Sequence, residues 1–572
     1  MKKFFILLTI LLLSATPILA ENELPDLIQQ LEDTVVEVEE PFVQITEEQP
    51  KAEIQQEEVV QQDTLEEDEP QVFDKEKITE YKTYKIKSVD PKKISKKKNR
   101  LEIYTPLYGK TTKTDKKAFE AIIVNNKVVK LNQYNSYIPQ NGYVISGYGK
   151  ARKFILENLF VGADVDIDFK KGVFKVVTHP DNYIYEADYR LKSIKNIFET
   201  SDKSKVDVYN MNFYINRSSE ILNRTKKLVE FKDFETAKQM ANDSMVYSDM
   251  AYYSSVIYEP DEFRALWVYP YQKNQEEIEQ AFATIVKLGV ENIILEGYYN
   301  GLTIYPSEVN AKYGLPSQNR YYKDFDVLEA WLKLAKENNK KIYLSFNVLN
   351  MGNPPKSTIQ ENIVKIHPQW LKKYDKKFDR EKNYYLDAQN SEVQNYLSEL
   401  VEEVLKKYEI AGINLKDLEY SLTEFETMNI VGLTNKLAQI AQDNNREFLL
   451  NVYDNTVYNV QDTAQLVLDE NTILLPVLNS SDDDYAKDFL TRVKDVFNSD
   501  KIYPIFLEPY QEEKPRKLFD QIIVSRELGL NGIILYNLDY LSKEYIEALK
   551  LSIFNKPEEE KEQKSLFEKE EK

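Results

Sequence analysis

A closed ring of eight parallel strands, each followed by a helix, is the fold class that the carboxyl-terminal half of the sequence predicts. A small all-β domain and a helical connector precede it. Three observations carry this reading. From Phe263 onward, short apolar runs alternate with amphipathic stretches of helical period. The runs are nearly continuous and rich in β-branched residues, as parallel strands covered on both faces require. Eight strand–helix units fit into about 290 residues, the size of a (β/α)8 barrel. An open doubly wound sheet would place a glycine-rich phosphate turn after its first strand, and Val268–Asn274 holds none.

The elements follow in order. Residues 1–20 read as an export signal: Lys2 and Lys3, the apolar run Phe4–Leu13, then small residues up to Ala20. That run is shorter than the ~20 apolar residues a membrane span needs, so no span is expected in the mature chain. Residues 21–75 are acidic and glutamine-rich, with too little apolar surface to offset chain entropy, and are expected to be a disordered linker. Residues 76–180 read as a small β domain. Its strand-like runs are Leu101–Tyr104, Ala121–Val124, Lys127–Leu131, Tyr143–Ser146 and Val173–Val177, with turn signals at Asn125-Asn126 and Asn141-Gly142. Residues 181–258 show helical spacing at Ile215, Ile221, Leu222 and Thr225, and again at Phe234, Ala237 and Ala241, and read as a helical connector. The barrel is expected over 259–556, and 557–572 is a charged tail.

The eight barrel strands are placed at Phe263–Pro270, Asn292–Gly297, Lys341–Val348, Gly412–Leu418, Phe448–Asp454, Ile473–Asn479, Ile502–Glu508 and Gly532–Leu538. Helices fit between them, such as Glu276–Leu288, Asp326–Asn338, Val393–Lys407, Asp484–Phe497 and Leu518–Leu528.

Composition narrows the function. The formal charge of −20 disfavours nucleic acid, whose phosphates want clustered lysine and arginine. The absence of cysteine excludes thiolate metal sites, disulfides and a lipidated cysteine, and two histidines are too few for histidine-rich metal chemistry. No metal and no cofactor are expected. The 40 tyrosines would suit sugar rings, although an A/T-rich genome also enriches tyrosine.

Chemistry in a barrel sits at the carboxyl ends of the strands. The carboxylates there are Glu296, Asp417, Glu419, Asp454, Glu508 and Asp539. Converging acids suit glycoside hydrolysis, in which one carboxyl group protonates the leaving oxygen and a second attacks or activates water. Glu296, with Asp417, Glu419 or Glu508 as partner, forms the catalytic set. Tyr269, Tyr298, Asn347, Trp370, Asn414, Lys416, Tyr453, Asn479 and Asn537 form the substrate-binding set, as rings to stack and amides or an ammonium to hydrogen-bond. Each has a plainer structural role: acids cap helices, amides satisfy loop backbone, and Trp370 anchors an insertion.

Six stretches occur in order: FRALWVYP, NIILEGYYNGLTIYPSEV, KIYLSFNVLNMGN, IHPQWL, YYLDAQNSEVQNYL and GINLKDLEY. Together they resemble the glycosyl-hydrolase-like 10 group of secreted bacterial proteins. The resemblance implies a (β/α)8 glycosidase fold acting on cell-envelope polysaccharide, peptidoglycan strands foremost, with Glu296 in the active site. Upstream, EIYTPLYGKTTKT, IPQNGYVISGYGKARKFI and VGADVDIDF resemble a β-module of secreted phosphodiester-glycosidase-like proteins, with Tyr148 where that pattern has histidine. The barrel departs from its group at Ala411 and Lys416, which stand where the group has aspartates. Asp417 is displaced by one residue, which on a strand turns a side chain to the other face unless a bulge intervenes. Lys416 then has three readings: it pairs with Glu296 and holds it ionised, it binds an acidic group on the glycan, or it marks a lost site. The alternative to a hydrolase is therefore a glycan-binding or scaffolding protein on the same barrel.

Overall fold

A computed structural model of the chain describes residues 80–85, 99–111, 118–132, 136–168, 171–322, 325–354, 359–372, 383–416, 424–453, 472–480, 483–497, 499–507 and 515–556. The expected export signal, acidic linker and charged tail lie outside the described residues.

The amino-terminal sheet is antiparallel and seven-stranded. Its strands are β1 (Glu80–Lys85), β2 (Arg100–Tyr104), β3 (Ala118–Val124), β4 (Lys127–Asn132), β5 (Gly142–Tyr148), β6 (Asp164–Asp168) and β7 (Val173–Thr178), in the order β1-β7-β6-β4-β3-β5-β2. Asn125 and Asn126 both take positive φ, 50° and 61°, the pair that lets a two-residue turn follow the strand twist. Helix α1 (Lys150–Asn158) lays Ala151 and Ile155 on the inner face, beside Ile123, Ile145 and Val176. Gly147 is required there, because a Cβ would stand 2.9 Å from the Ala151 backbone.

Three helices follow: α2 (Pro180–Thr200), α3 (Val208–Glu230) and α4 (Phe234–Tyr253). Asp207 and Asp233 cap α3 and α4, each accepting a hydrogen bond from the backbone N–H three residues on. Buried Ser218, Ser244 and Ser248 hydroxyls bond one another at 2.9 Å between α3 and α4, so close helix packing leaves these hydroxyls satisfied.

The barrel comprises β8 (Phe263–Val268), β9 (Asn292–Tyr299), β11 (Lys341–Asn347), β12 (Gly412–Lys416), β13 (Glu447–Val452), β14 (Thr472–Leu478), β15 (Ile505–Leu507) and β16 (Gly532–Tyr536). They pair in parallel in that order, and β16 and β9 both pair with β8, so the ring closes. The two-residue β10 (Leu302–Thr303) turns back antiparallel on β9. The outer helices are α5 (Gln275–Leu288), α6 (Val327–Glu337), α7 (Ser391–Lys407), α8 (Glu424–Asp443), α9 (Asp483–Phe497), α10 (Arg516–Glu527) and α11 (Lys543–Lys550). Asn274, Asp326, Asn390 and Ser542 cap four of them, the residue types that serve orphan N–H groups best. Alternation along each strand divides the core. Ala265, Trp267, Ile294, Tyr343, Leu449, Leu475 and Ile534 fill the lumen, and the intervening Leu266, Ile293, Leu295, Ile413 and Leu535 face the helices.

Candidate active site

Glu296 lies in the carboxyl-terminal half of β9, a strand buried along its whole length, and its side chain shares the lumenal face with Ile294. It has no exposed surface. Its Oε2 accepts the indole N–H of Trp267 at 3.2 Å and pairs with the Lys416 ammonium at 2.9 Å. Lys416 reaches it from the end of β12, where Gly412, Asn414 and Lys416 share one face. The ammonium also donates to the Tyr269 hydroxyl at 3.2 Å and lies 5.2 Å from that ring and 5.7 Å from Trp267. Because Lys416 has only protons to give, the Tyr269 oxygen accepts, and the Tyr269 and Tyr536 hydroxyls share a further hydrogen bond at 2.6 Å. A carboxylate, an ammonium, an indole and two phenols thus form one connected network in the upper lumen. An opposite charge this close favours the ionised carboxylate.

Beneath it runs a belt of neutral polar groups. Ser345 Oγ donates to Asn414 Oδ1 at 3.0 Å, Asn414 Nδ2 to Asn451 Oδ1 at 2.8 Å, and Asn451 Nδ2 to the Tyr453 hydroxyl at 3.4 Å. Asn414 is wholly buried and commits its amide to this belt, so it orders the lumen and is not placed to hold a sugar. Tyr453 stands half-buried at the end of β13 on the lumenal side. Asn347 ends β11 in register with Lys416, and its buried Oδ1 has no hydrogen-bond partner among the described residues.

Other expected residues fall elsewhere. Tyr298 faces the outer layer: it packs on Phe346 with ring centroids 6.0 Å apart and accepts from the Tyr396 hydroxyl at 3.4 Å. The cause is a bulge. Phe346 pairs with Tyr298 directly after Ser345 pairs with Glu296, so Gly297 is the extra residue and reverses the alternation. Only glycine fits there, since a Cβ would lie 2.3 Å from Leu344 Cγ. Trp370 is also sealed away, stacked on His367 at 3.8 Å and donating its indole N–H to Glu392 at 2.6 Å. Asn537 caps the short helix after β16, accepting from Asp539 N at 2.8 Å. Asn479 lies exposed beyond β14.

The expected acids Asp417, Glu419, Asp454 and Glu508 lie outside the described residues. Asp539, on the turn after β16, is described. The protein around it pushes its carboxyl up to about 6, although the residue stays open to water, and that exposure argues for a smaller displacement. Among the described residues no cluster of three or more histidine, cysteine or acidic side chains is placed to hold a metal.

Tyr271, Tyr536, Ser345 and Asn451 are not among the residues singled out from the sequence. Position gave a signal for Ser345 and Asn451, which stand two residues from the expected Asn347 and Tyr453. Tyr271 stacks on Tyr269 at 6.0 Å and 15° and extends the tyrosine wall outward. A cavity of about 820 Å³ opens elsewhere, between Lys336, Lys407 and Arg446 near the amino-terminal strand ends. That end of a barrel serves stability, so this cavity is set apart from the site.

No curated protein matches this chain. Among solved structures it is similar to the β-amylase catalytic domain of Paenibacillus polymyxa, at 11% identity and TM-score 0.39, covering 52% of this chain and 100% of that one. It is similar also to the PgaB glycoside hydrolase domain of Bordetella bronchiseptica, at 13% identity and TM-score 0.38, covering 52% and 99%. The spore cortex-lytic enzyme SleL of Bacillus megaterium stands at 10% identity and TM-score 0.33, covering 51% and 75%. At such values these likenesses carry no argument. Among the described residues no helix is long and apolar enough to cross a membrane. Residues 262–471, which hold β8, Glu296 and Lys416, match the family model described as glycosyl hydrolase-like 10.

Proposed function

We propose that this chain is an exported glycoside hydrolase acting on cell-envelope polysaccharide, with peptidoglycan glycan strands as the leading substrate. The observation that carries the reading is the Glu296 carboxylate, facing the lumen in the carboxyl-terminal half of β9 and held 2.9 Å from the Lys416 ammonium. On this reading the ammonium partner makes Glu296 the group other than the proton donor. Its role is therefore to attack the anomeric carbon or to stabilise the oxocarbenium charge that develops there. The proton donor is a second acid, for which the sequence offers Asp417, Glu419 and Glu508. Tyr269, Tyr271 and Tyr453 supply ring faces for the sugar. The domain reading retained here is a β domain over 76–180, a connector over 181–258 and the barrel over 259–556.

A second reading, sugar binding without turnover, is favoured by the complete burial of Glu296 behind Lys416 and Trp267. One experiment separates the two. The exported chain is incubated with purified sacculi, and both released reducing ends and bound protein are measured. Release that is lost in Glu296→Gln supports the hydrolase. Binding without release, unchanged in Glu296→Gln, supports the second reading. Neither release nor binding, from sacculi or from other envelope glycans, sinks both.

A further inference from the structure

We propose a second glycan site outside the barrel, in the groove between α2 and α3. The groove has a volume of about 450 Å³ and is lined by Asp181, Tyr185, Asp188, Tyr189, Lys192 and Lys226. Tyr185 and Tyr189 stand one helical turn apart on α2, so their rings share a face. They are 44% and 49% exposed, in a chain that buries Tyr104, Tyr298, Tyr305, Tyr322, Tyr343 and Tyr396 almost completely.

The Tyr185 ring is fixed from behind. It lies against Gly162, where a Cβ would come within 2.7 Å of the ring, and the Lys127 ammonium sits 5.5 Å from its centroid. Lys127 is itself held by Asp164 at 2.7 Å. One edge is thus clamped while the rest of the ring faces the groove, so stacking costs little further ordering of the side chain.

The polar lining points to the class of ligand. Asp188 bridges Lys192 at 2.5 Å and Lys226 at 3.0 Å, tying α2 to α3. The pairing holds the Asp188 carboxyl below the usual aspartate range even though partial burial pushes the other way. Two aspartates and two lysines balance, so the groove offers acceptors and donors without net charge. An ion would find no excess charge there. A sugar fits, because each hydroxyl both donates and accepts and the ring presents an apolar C–H face to tyrosine. We therefore assign the groove to a segment of uncharged, hydroxylated glycan, held apart from the barrel mouth. The inference takes from the proposed function only the class of polymer, and it does not require the barrel to turn anything over.

The test uses the full exported chain, with soluble chitohexaose and insoluble sacculi as probes. Hydrogen exchange read by mass spectrometry is expected to slow over Asp181–Lys192 when chitohexaose is added. Tyr185→Ala/Tyr189→Ala is expected to abolish that protection and to weaken co-sedimentation with sacculi about tenfold, the loss typical of removing an aromatic anchor. Tyr185→Phe/Tyr189→Phe keeps the ring faces and is expected to retain both signals, which separates stacking from misfolding. The compensated double variant Glu296→Gln/Lys416→Met changes the barrel mouth without stranding a charge, and is expected to leave the protection over Asp181–Lys192 intact. Exchange over that segment unaltered by chitohexaose, or sacculus binding by the alanine variant equal to the parent's, overturns the second site. A hydrolase assay positive in the same preparation would then leave the barrel reading standing.

Discussion

The most consequential contact at the residue scale is the ion pair between Glu296 and Lys416. Glu296 is fully buried and Lys416 nearly so, with 12% of its side chain exposed. Two charges taken out of water together offset much of each other's desolvation, whereas one left alone is costly. Lys416→Met is therefore expected to destabilise the fold by about 3–5 kcal/mol, the cost of a stranded buried charge. The double change Glu296→Gln/Lys416→Met is expected to recover most of that loss. Urea denaturation of the three proteins measures it, and additive losses in the double variant would refute the coupling. This contact was legible in part. Lys416 stands out as a lysine in an acid's place, and the sequence offers pairing with Glu296 as one of three readings. The indole N–H of Trp267 was not legible, because an apolar-looking tryptophan on a core strand carries no mark of its donor.

Elements were more readable than side chains. All eight barrel strands fall where apolar runs predict them, since a strand covered on both faces has few residue choices. Side-chain direction is more fragile, because it depends on counting residues from a fixed point. Gly297 adds one to the count and turns Tyr298 from the mouth to the outer layer. β1, β6 and α1 escaped prediction because short, charged or tyrosine-rich stretches have weak periodicity, as in Asp164–Asp168 with its three aspartates. The amino-terminal sheet hides a further feature. Glu120 on β3 is fully buried, and its Oε2 accepts from Thr111 Oγ1 at 3.2 Å and from Ser136 N at 3.0 Å. Burial pushes its carboxyl up despite these bonds. A carboxyl raised above its unfolded value holds its proton more tightly in the folded chain. Its stabilising contribution is complete below the unfolded value and is lost as pH climbs through the folded one. Glu120→Gln is expected to be more stable than the parent at pH 8 by about 1 kcal/mol or more, and nearly equal to it at pH 4. Pulse proteolysis in urea, scored on peptides from β3 and β5, reads this. A gap independent of pH would contradict it.

For the molecule as a whole, the connector helices act as part of the barrel's outer coat. Tyr253 of α4 meets Phe519 of α10 at 4.8 Å, the Tyr252 hydroxyl donates to Asp520, and Asp249 takes both Arg190 and Arg516. Arg526 closes the seam by donating to the Ile257 carbonyl at 3.0 Å, itself held by paired bonds of 2.9 Å to Glu262. Periodicity announced α3 and α4 as helices but not where they dock, because docking depends on which apolar stripe finds a partner. A fragment beginning at Phe263 leaves this apolar surface uncovered. It is expected to melt several degrees below a fragment beginning at Pro180, or to aggregate on expression. Equal melting temperatures would show that the connector adds nothing to the barrel.

The Glu296–Lys416 bond also constrains how this protein can change. Its two ends sit on strands with β11 between them, so the bond works as a brace across one arc of the ring. Replacing either end alone leaves the other stranded, a penalty felt by every copy of the protein before any gain in chemistry is tested. A lineage that moves this mouth toward faster cleavage, or toward silent sugar capture, must therefore alter both positions nearly at once. Stability, more than reactivity, guards that route.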